Sequence, residues 1–372
     1  MHTLQATASS SLSLTEGHYI YSIAAAGPGS FAVISSDDSL RVFSADGLGH
    51  SSIVTPSAHE VVTSLRTYDA GQQLLATAGR DGRVKVWDLR SGKKPAVEMQ
   101  PFVVAIAIQA PVLSIACSPQ THDIAAGTEL VASNYGQQAV VAFWDIRSAN
   151  QPRLEYVESH NDDVTELQYH PTRSHIALSG STDGLVNIYD TTITDEDEAL
   201  VQVINHGSVH HAGFLDEKTV YALSHDEDFA IHPTTNPDDQ TSEGAEPIQF
   251  NDLRQPLNCE YIVQLCQNSQ GQYIAAGNKL EQRLDLVPLV SSPSWQFDQN
   301  NSWRLPGAHG EEVIRSVYVD EQSQSVLTCG EDGCVRVWKP EDGDSTTQAD
   351  GSAKGTRQKE KRSKNKDRFK PY

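Results

Sequence analysis

Apolar positions along the chain alternate with polar ones instead of recurring every three or four residues. LLATAGRDGRVKVWD, residues 74–88, shows the pattern: two alternating runs joined by Asp81-Gly82, with an aromatic residue, Trp87, near the end. Alternation predicts strands, because successive side chains of a strand point to opposite faces. Asp-Gly between two such runs predicts a tight hairpin, since the turn needs positive φ. IALSGSTDGLVNIYD (176–190) and VLTCGEDGCVRVWKP (326–340) repeat the unit. FAVISSDDSLRVF (31–43) is a weaker copy, with Asp37 six residues before Phe43, the offset that separates Asp81 from Trp87, Asp183 from Tyr189 and Asp332 from Trp338.

A further strand introduced by histidine precedes each strong hairpin: HEVVTSLR at 59, HNDDVTELQY at 160 and HGEEVIRSVYV at 309, with HGSVHHAGF at 206 as another member. VLSIACSP…QQAVVAFWDIR (112–147) carries a longer hairpin, and TVYALSHDEDFAIH (219–232) and YIVQLCQNSQGQYIAAGNKLEQRLDLVPL (261–289) are degenerate copies. The strand ends fall at 43, 87, 144, 189, 232, near 287 and 338, spaced by 44, 57, 45, 43, about 55 and about 51 residues. Periods near 40–45 residues with four strands each are the signature of a propeller. The expectation is an all-β, seven-bladed propeller over residues 1–340, with a disordered basic tail at 341–372.

The repeat resembles the WD40 family. Trp87-Asp88, Trp144-Asp145, Tyr189-Asp190 and Trp338 carry the resemblance, together with the upstream histidines, across roughly residues 4 to 340. It implies a buried hydrogen-bond chain of histidine, strand Ser/Thr, turn aspartate and tryptophan. In this sequence the chains are His59, Thr77, Asp81 and Trp87; His160, Ser179, Asp183 and Tyr189; and His309, Thr328, Asp332 and Trp338. Tyr189 stands in place of tryptophan and offers a hydroxyl to end its chain. Blades 3, 5 and 6 lack complete sets, which leaves their limits open.

The physical sense is independent of the family. A buried aspartate costs several kcal/mol unless donors meet its charge. Histidine and a hydroxyl supply them, so these residues read as structural and not as a catalytic His/Asp pair. No serine or cysteine lies in a nucleophile-elbow context, and there is no GxSxG or GKS/T. No catalytic residue, cofactor or metal site is expected. A ring also needs closing, because an open propeller exposes sheet edges. TLQATASSSLSL near the N-terminus is the only spare β-like segment, and is expected to pair beside the last blade.

Composition adds the environment. At 38% hydrophobic residues, the 372-residue chain reads as globular. The most apolar run, Pro101 to Cys117, is broken by Gln109, Pro111 and Ser114 and reads as buried strand, not a membrane span. The N-terminus has neither the basic region nor the apolar block of a secretory signal, which points to nucleus or cytoplasm. The five cysteines, Cys117, Cys259, Cys266, Cys329 and Cys334, contain no CxxC and read as reduced thiols.

Charge is segregated. The chain carries −21, yet residues 354–372 hold nine Lys/Arg against two Asp/Glu, leaving −28 on residues 1–353. An acidic body attracts basic proteins. Two acidic loops, 192–201 and 232–247, are expected to be mobile surface. In the tail, Lys361, Arg362, Lys364 and Lys366 form a candidate import signal or RNA or ribosome contact. The acidic TDEDE loop and the RFKPY ending resemble the WD repeat-containing protein 89 family in its fungal form, which implies a nuclear, non-enzymatic interaction scaffold.

Two other readings compete with that of a general scaffold. Trp87-Asp88-Leu89-Arg90 and Trp144-Asp145-Ile146-Arg147 resemble the WDxR motif of cullin-4 ubiquitin-ligase substrate receptors, which makes Arg90 and Arg147 candidate adaptor contacts. The acidity instead suits a chaperone or escort for a basic ribosomal or nucleic-acid-binding protein. A single propeller of this kind is expected to be a monomer.

Overall fold

The computed structural model describes residues 1–340, apart from 101, 104–107, 134–135, 236–245 and 293. Among these residues the strands form seven four-stranded antiparallel units in chain order. Their inner strands are Ile20–Gly27, Val62–Asp69, Val112–Ser118, Val164–Tyr169, Val209–Phe214, Tyr261–Asn268 and Ile314–Asp320. Each inner strand carries a register shift just after its first residues. Such a bulge bends a strand and sharpens its twist.

The ring is closed by one recurrent device. At every junction a side chain bonds the backbone of the neighbouring inner strand. Thr67 donates to the Ala25 carbonyl, Thr63 to Val112, Ser114 to Val164 and Thr165 to Val209. His211 Nε2 lies 3.1 Å from the Val263 carbonyl oxygen, the Val317 N–H donates to Gln264 Oε1, and the Ile23 N–H donates to Ser316 Oγ. Apolar clusters fill the spaces between blades. One joins Ala76, Val84 and Val86 of blade 2 to Ile115, Ala126 and Trp144 of blade 3.

The N-terminal strand His2–Ser10 is the outer strand of blade 7, antiparallel to Val335–Pro340 from Leu4↔Pro340 to Ser10↔Val335. It also pairs in parallel with Trp303–Pro306, the outer strand of blade 6, through His2↔Trp303 and Thr3↔Arg304. The two blades thereby share one continuous sheet.

Two expectations change. The apolar run 101–117 is not one strand: Phe102–Val103 and Ile108–Gln109 pair as a small hairpin, and the inner strand of blade 3 begins only at Val112. Pro111 explains the break, since it donates no ladder hydrogen bond. The first acidic loop is also ordered. Glu196–Ala199 forms a helical turn capped by Asp195, whose side chain accepts from the Glu198 N–H. Glu196 accepts from the N–H groups of Val157, Glu158 and Ser159 and from the Ser159 hydroxyl. Residues 236–245 of the second acidic loop lie outside the described residues, as does the tail with Lys361, Arg362, Lys364 and Lys366.

Candidate functional site

In blade 2, His59 Nδ1 lies 2.9 Å from Asp81 Oδ1 and its Nε2 2.8 Å from Thr77 Oγ1, while the Trp87 indole N–H donates to the same Thr77 oxygen. Blade 7 repeats this with His309, Asp332, Thr328 and Trp338, at 2.7, 2.7 and 2.9 Å. Blade 4 substitutes Ser179 and Tyr189: His160 sits 3.0 Å from Asp183 and 2.6 Å from Ser179, whose hydroxyl donates to Tyr189. Burial alone would raise the Asp81, Asp183 and Asp332 carboxyls. Hydrogen bonds from His59, His160 and His309 lead the contacts that outweigh it and hold all three below the usual carboxylate value. Every histidine nitrogen in these sets has a partner, so the arrangement locks turns and leaves no base free for chemistry.

His206 does not build a fourth set. Its Nε2 lies 2.9 Å from the Asp228 backbone carbonyl oxygen instead. Blade 1 builds its lock without histidine. Asp37 accepts from the hydroxyls of Ser35 and Ser39 and from Arg41. Burial works against its charge, but these donors bring its pKa down to about 2. Arg41 also donates to the Leu12 carbonyl, tying the N-terminal segment to blade 1.

The position of Arg41 recurs in the chain: four residues after the turn aspartate stand Arg41, Lys85 and Arg336, with Asn187 at that place in blade 4, although the spacing alone does not show which of them is buried. Each basic residue forms an ion pair with its aspartate. Lys85 and Asn187 also reach back to the carbonyls of Ala58 and Ser159. Blade 3 lacks the histidine, and its Trp144 indole N–H is buried without a partner among the described residues.

The family described as "WD domain, G-beta repeat" matches residues 50–88, 151–190 and 300–339, the stretches that hold the three complete sets. A WD repeat-containing protein of Schizosaccharomyces pombe is 32% identical over 298 residues, covering 76% of this chain and 84% of that protein. The chain belongs to the WD40-repeat family. A WD repeat-containing protein of Saccharomyces cerevisiae is 35% identical over 277 residues, 74% of this chain and 66% of the yeast protein. The WD repeat-containing protein 89 homolog of Dictyostelium discoideum is 23% identical over 287 residues, 76% of this chain and 72% of its own length. Among solved structures, the WD40 β-propeller domain of Doa1 matches with a TM-score of 0.62 at 15% identity, covering 92% of this chain and 98% of that one, a likeness of fold alone.

On this WD40 scaffold, Arg90 and Arg147 lie two residues past the ends of third strands, at Asp88 and Asp145, on one face. Each folds onto its own aspartate: Arg90 donates its backbone N–H and guanidinium to Asp88, and Arg147 does the same to Asp145. Arg254 makes the same clamp with Asp252 at the end of an outer strand, which places it on the opposite face. The spacing Asp-x-Arg is therefore accounted for by a local turn.

That opposite face, formed by the hairpin turns and the links between blades, carries exposed apolar side chains. Tyr19 is 42% exposed, Tyr21 37% and Val61 50%. Val61 has φ 59°, unusual for a β-branched residue. Its carbonyl accepts from the Arg80 N–H, and the next N–H, of Val62, donates to Asp38, so both flanks of the strained residue are fixed. Exposed Glu16, Glu60, Glu311 and Glu312 lie in links on the same face. Sequence reasoning missed this patch because no periodicity marks a link residue.

Burial pushes the thiols of Cys117, Cys259 and Cys266 up to about 12, which leaves them unreactive. Among the described residues, no three His, Cys, Asp or Glu side chains are grouped to hold a metal ion. No helix among them is long and apolar enough to cross a membrane.

Proposed function

We propose that the protein is a non-enzymatic, nuclear interaction scaffold that receives a basic segment of a partner protein on the face bearing Tyr19, Tyr21 and Val61. The observation that carries this reading is the exposure of Tyr19, Tyr21 and Val61 on a face whose links also carry the exposed carboxylates of Glu16, Glu60, Glu311 and Glu312. Aromatic anchors supply most of the energy at protein interfaces, and tyrosine faces also attract Lys and Arg cations. The −28 charge of residues 1–353 steers a basic partner inward, at rates that fall with salt. The chaperone or escort reading is a special case of this one.

The test is affinity purification with mass spectrometry, at low and high salt, from cells carrying the intact chain or the Tyr19→Ala/Tyr21→Ala variant. Basic proteins should be recovered with the intact chain at low salt and lost from the variant. Equal recovery from both would end the reading.

The adaptor reading, through Arg90 and Arg147, has weaker support, because the clamp recurs at Arg254 where no WDxR motif stands. Nuclear entry is assigned to the basic tail, which could also meet RNA or a ribosome. Changing Lys361, Arg362, Lys364 and Lys366 to Ala in a fluorescent fusion should move the 40.6 kDa chain toward the cytoplasm. Unaltered nuclear signal would show that another element directs import.

A further inference from the structure

We infer that Thr194 is a phosphorylation site, read by a kinase that selects hydroxyls followed by acidic residues, and that its phosphate seats in the cleft between blades 3 and 4. Thr194 precedes Asp195, Glu196, Asp197 and Glu198, the only run of four consecutive acids in the chain. The structure separates their roles. Asp195 caps the short helical turn and Glu196 is consumed by the Val157–Ser159 backbone. Asp197 and Glu198 stay exposed, three and four residues after the acceptor, free to be read by a basic kinase groove.

The neighbouring hydroxyls are engaged. Thr191 Oγ1 donates to the His175 carbonyl and Thr192 Oγ1 to Asp190. Thr194 is exposed, and its hydroxyl makes no hydrogen bond among the described residues.

A second, independent feature lies beside it. Thr194 lines a cleft of about 270 Å³ whose wall also carries Arg153, His175, Thr121 and Ser174, together with the Asp123 carboxylate that pairs with Arg153. Arg153 is a third exposed, and bonds to Asp123 and to the Thr191 carbonyl. A phosphate on Thr194 brings about −1.5 to −2 charge and three acceptor oxygens to this wall. His175 and the hydroxyls can donate to it, and Arg153 can share its guanidinium between Asp123 and the phosphate.

In the transfer, Thr194 Oγ1 bonds to the terminal phosphorus of a nucleoside triphosphate. The bond to the bridging oxygen breaks, the diphosphate leaves, and the hydroxyl proton passes to the kinase base. The added charge lies on the blade 3–4 rim, away from the Tyr19–Val61 patch, so this inference does not depend on the binding face proposed above.

The test is incubation of the full folded chain with magnesium ATP and an acid-directed Ser/Thr kinase, followed by site mapping by mass spectrometry. One phosphate is expected on Thr194, none there in Thr194→Ala, and at least about tenfold slower transfer in Asp197→Ala/Glu198→Ala. An unmodified Thr194 in the folded chain, or equal rates with and without the two acids, would overturn the site. Seating is read separately, as removal of the phosphate by a phosphatase. Removal should be several-fold faster from the His175→Ala variant than from the intact chain, and equal rates would overturn the cleft assignment.

Discussion

Removal of residues 1–15 should abolish cooperative folding, or lower the melting temperature by more than about 10 °C. The segment does three structural tasks. Its strand covers the outer edge of blade 7 and is held in parallel to blade 6. It supplies three leucines to the core: Leu4 beside Trp338, and Leu12 and Leu14 against Val335 and Val337. Deleting one buried leucine side chain costs about 2–5 kcal/mol, and the whole native state is stable by about 5–15 kcal/mol. Three such losses together reach that total. The segment also satisfies a buried charge, because the Leu12 carbonyl accepts from Arg41 and from the Ser51 hydroxyl. Thermal unfolding followed by circular dichroism checks the outcome. The matched control removes residues 341–372 and is expected to leave the transition where it is. A truncated chain lacking 1–15 that melts with the intact protein would show that the ring closes without its N-terminal strand.

The same physics explains what could be read from the sequence. Blades 2, 4 and 7 were legible because their locks use residues at fixed spacing, with a histidine before the inner strand, an Asp-Gly turn and an aromatic end. Those spacings come from strand length and turn geometry, so sequence offsets carry them directly. Blades 1 and 6 were not legible as complete sets, because Arg41 and Arg283 project from the third strand to do the histidine's task. An exposed arginine and a buried one look alike in a list of residues. Their burial depends on partners distant in sequence, such as the carbonyls of Leu12 and Asn258. The acidic loop failed for a related reason. Composition showed four negative charges, but not the three N–H groups of Val157, Glu158 and Ser159 that order Glu196. The Tyr19–Val61 patch has no sequence mark, since exposure in a link is set by the neighbouring blades.

The buried charge cluster of blade 6 yields the second large effect. Asp285 is 6% exposed and lies between two cations. Arg304, its direct cross-strand partner, donates two hydrogen bonds at 2.8 and 2.9 Å. Arg283, 4% exposed, bonds to Asp285, to Glu281 and to the Asn258 carbonyl. Substituting Asp285→Ala leaves the Arg283 guanidinium buried beside Arg304 with one less anion. Breaking a buried pair in this way costs about 3–5 kcal/mol, because the remaining charge is uncompensated. Asp252→Ala removes an aspartate that also pairs with an arginine, but both Asp252 and Arg254 are more than 40% exposed. Water screens that pair, and its loss should cost little. The denaturant midpoint should therefore fall far more for Asp285→Ala than for Asp252→Ala. Replacing the cluster as a unit, with Arg283→Met, Asp285→Leu and Arg304→Met, should recover most of the loss, since no buried charge is then left unpaired and Glu281, which loses Arg283, is 52% exposed to water. Equal midpoints for the two single variants would mean that solvent reaches the Asp285 site. A triple variant as unstable as Asp285→Ala would mean that the cluster is held by shape and not by charge balance. Either result would remove the electrostatic account of how blade 6 dispenses with a histidine.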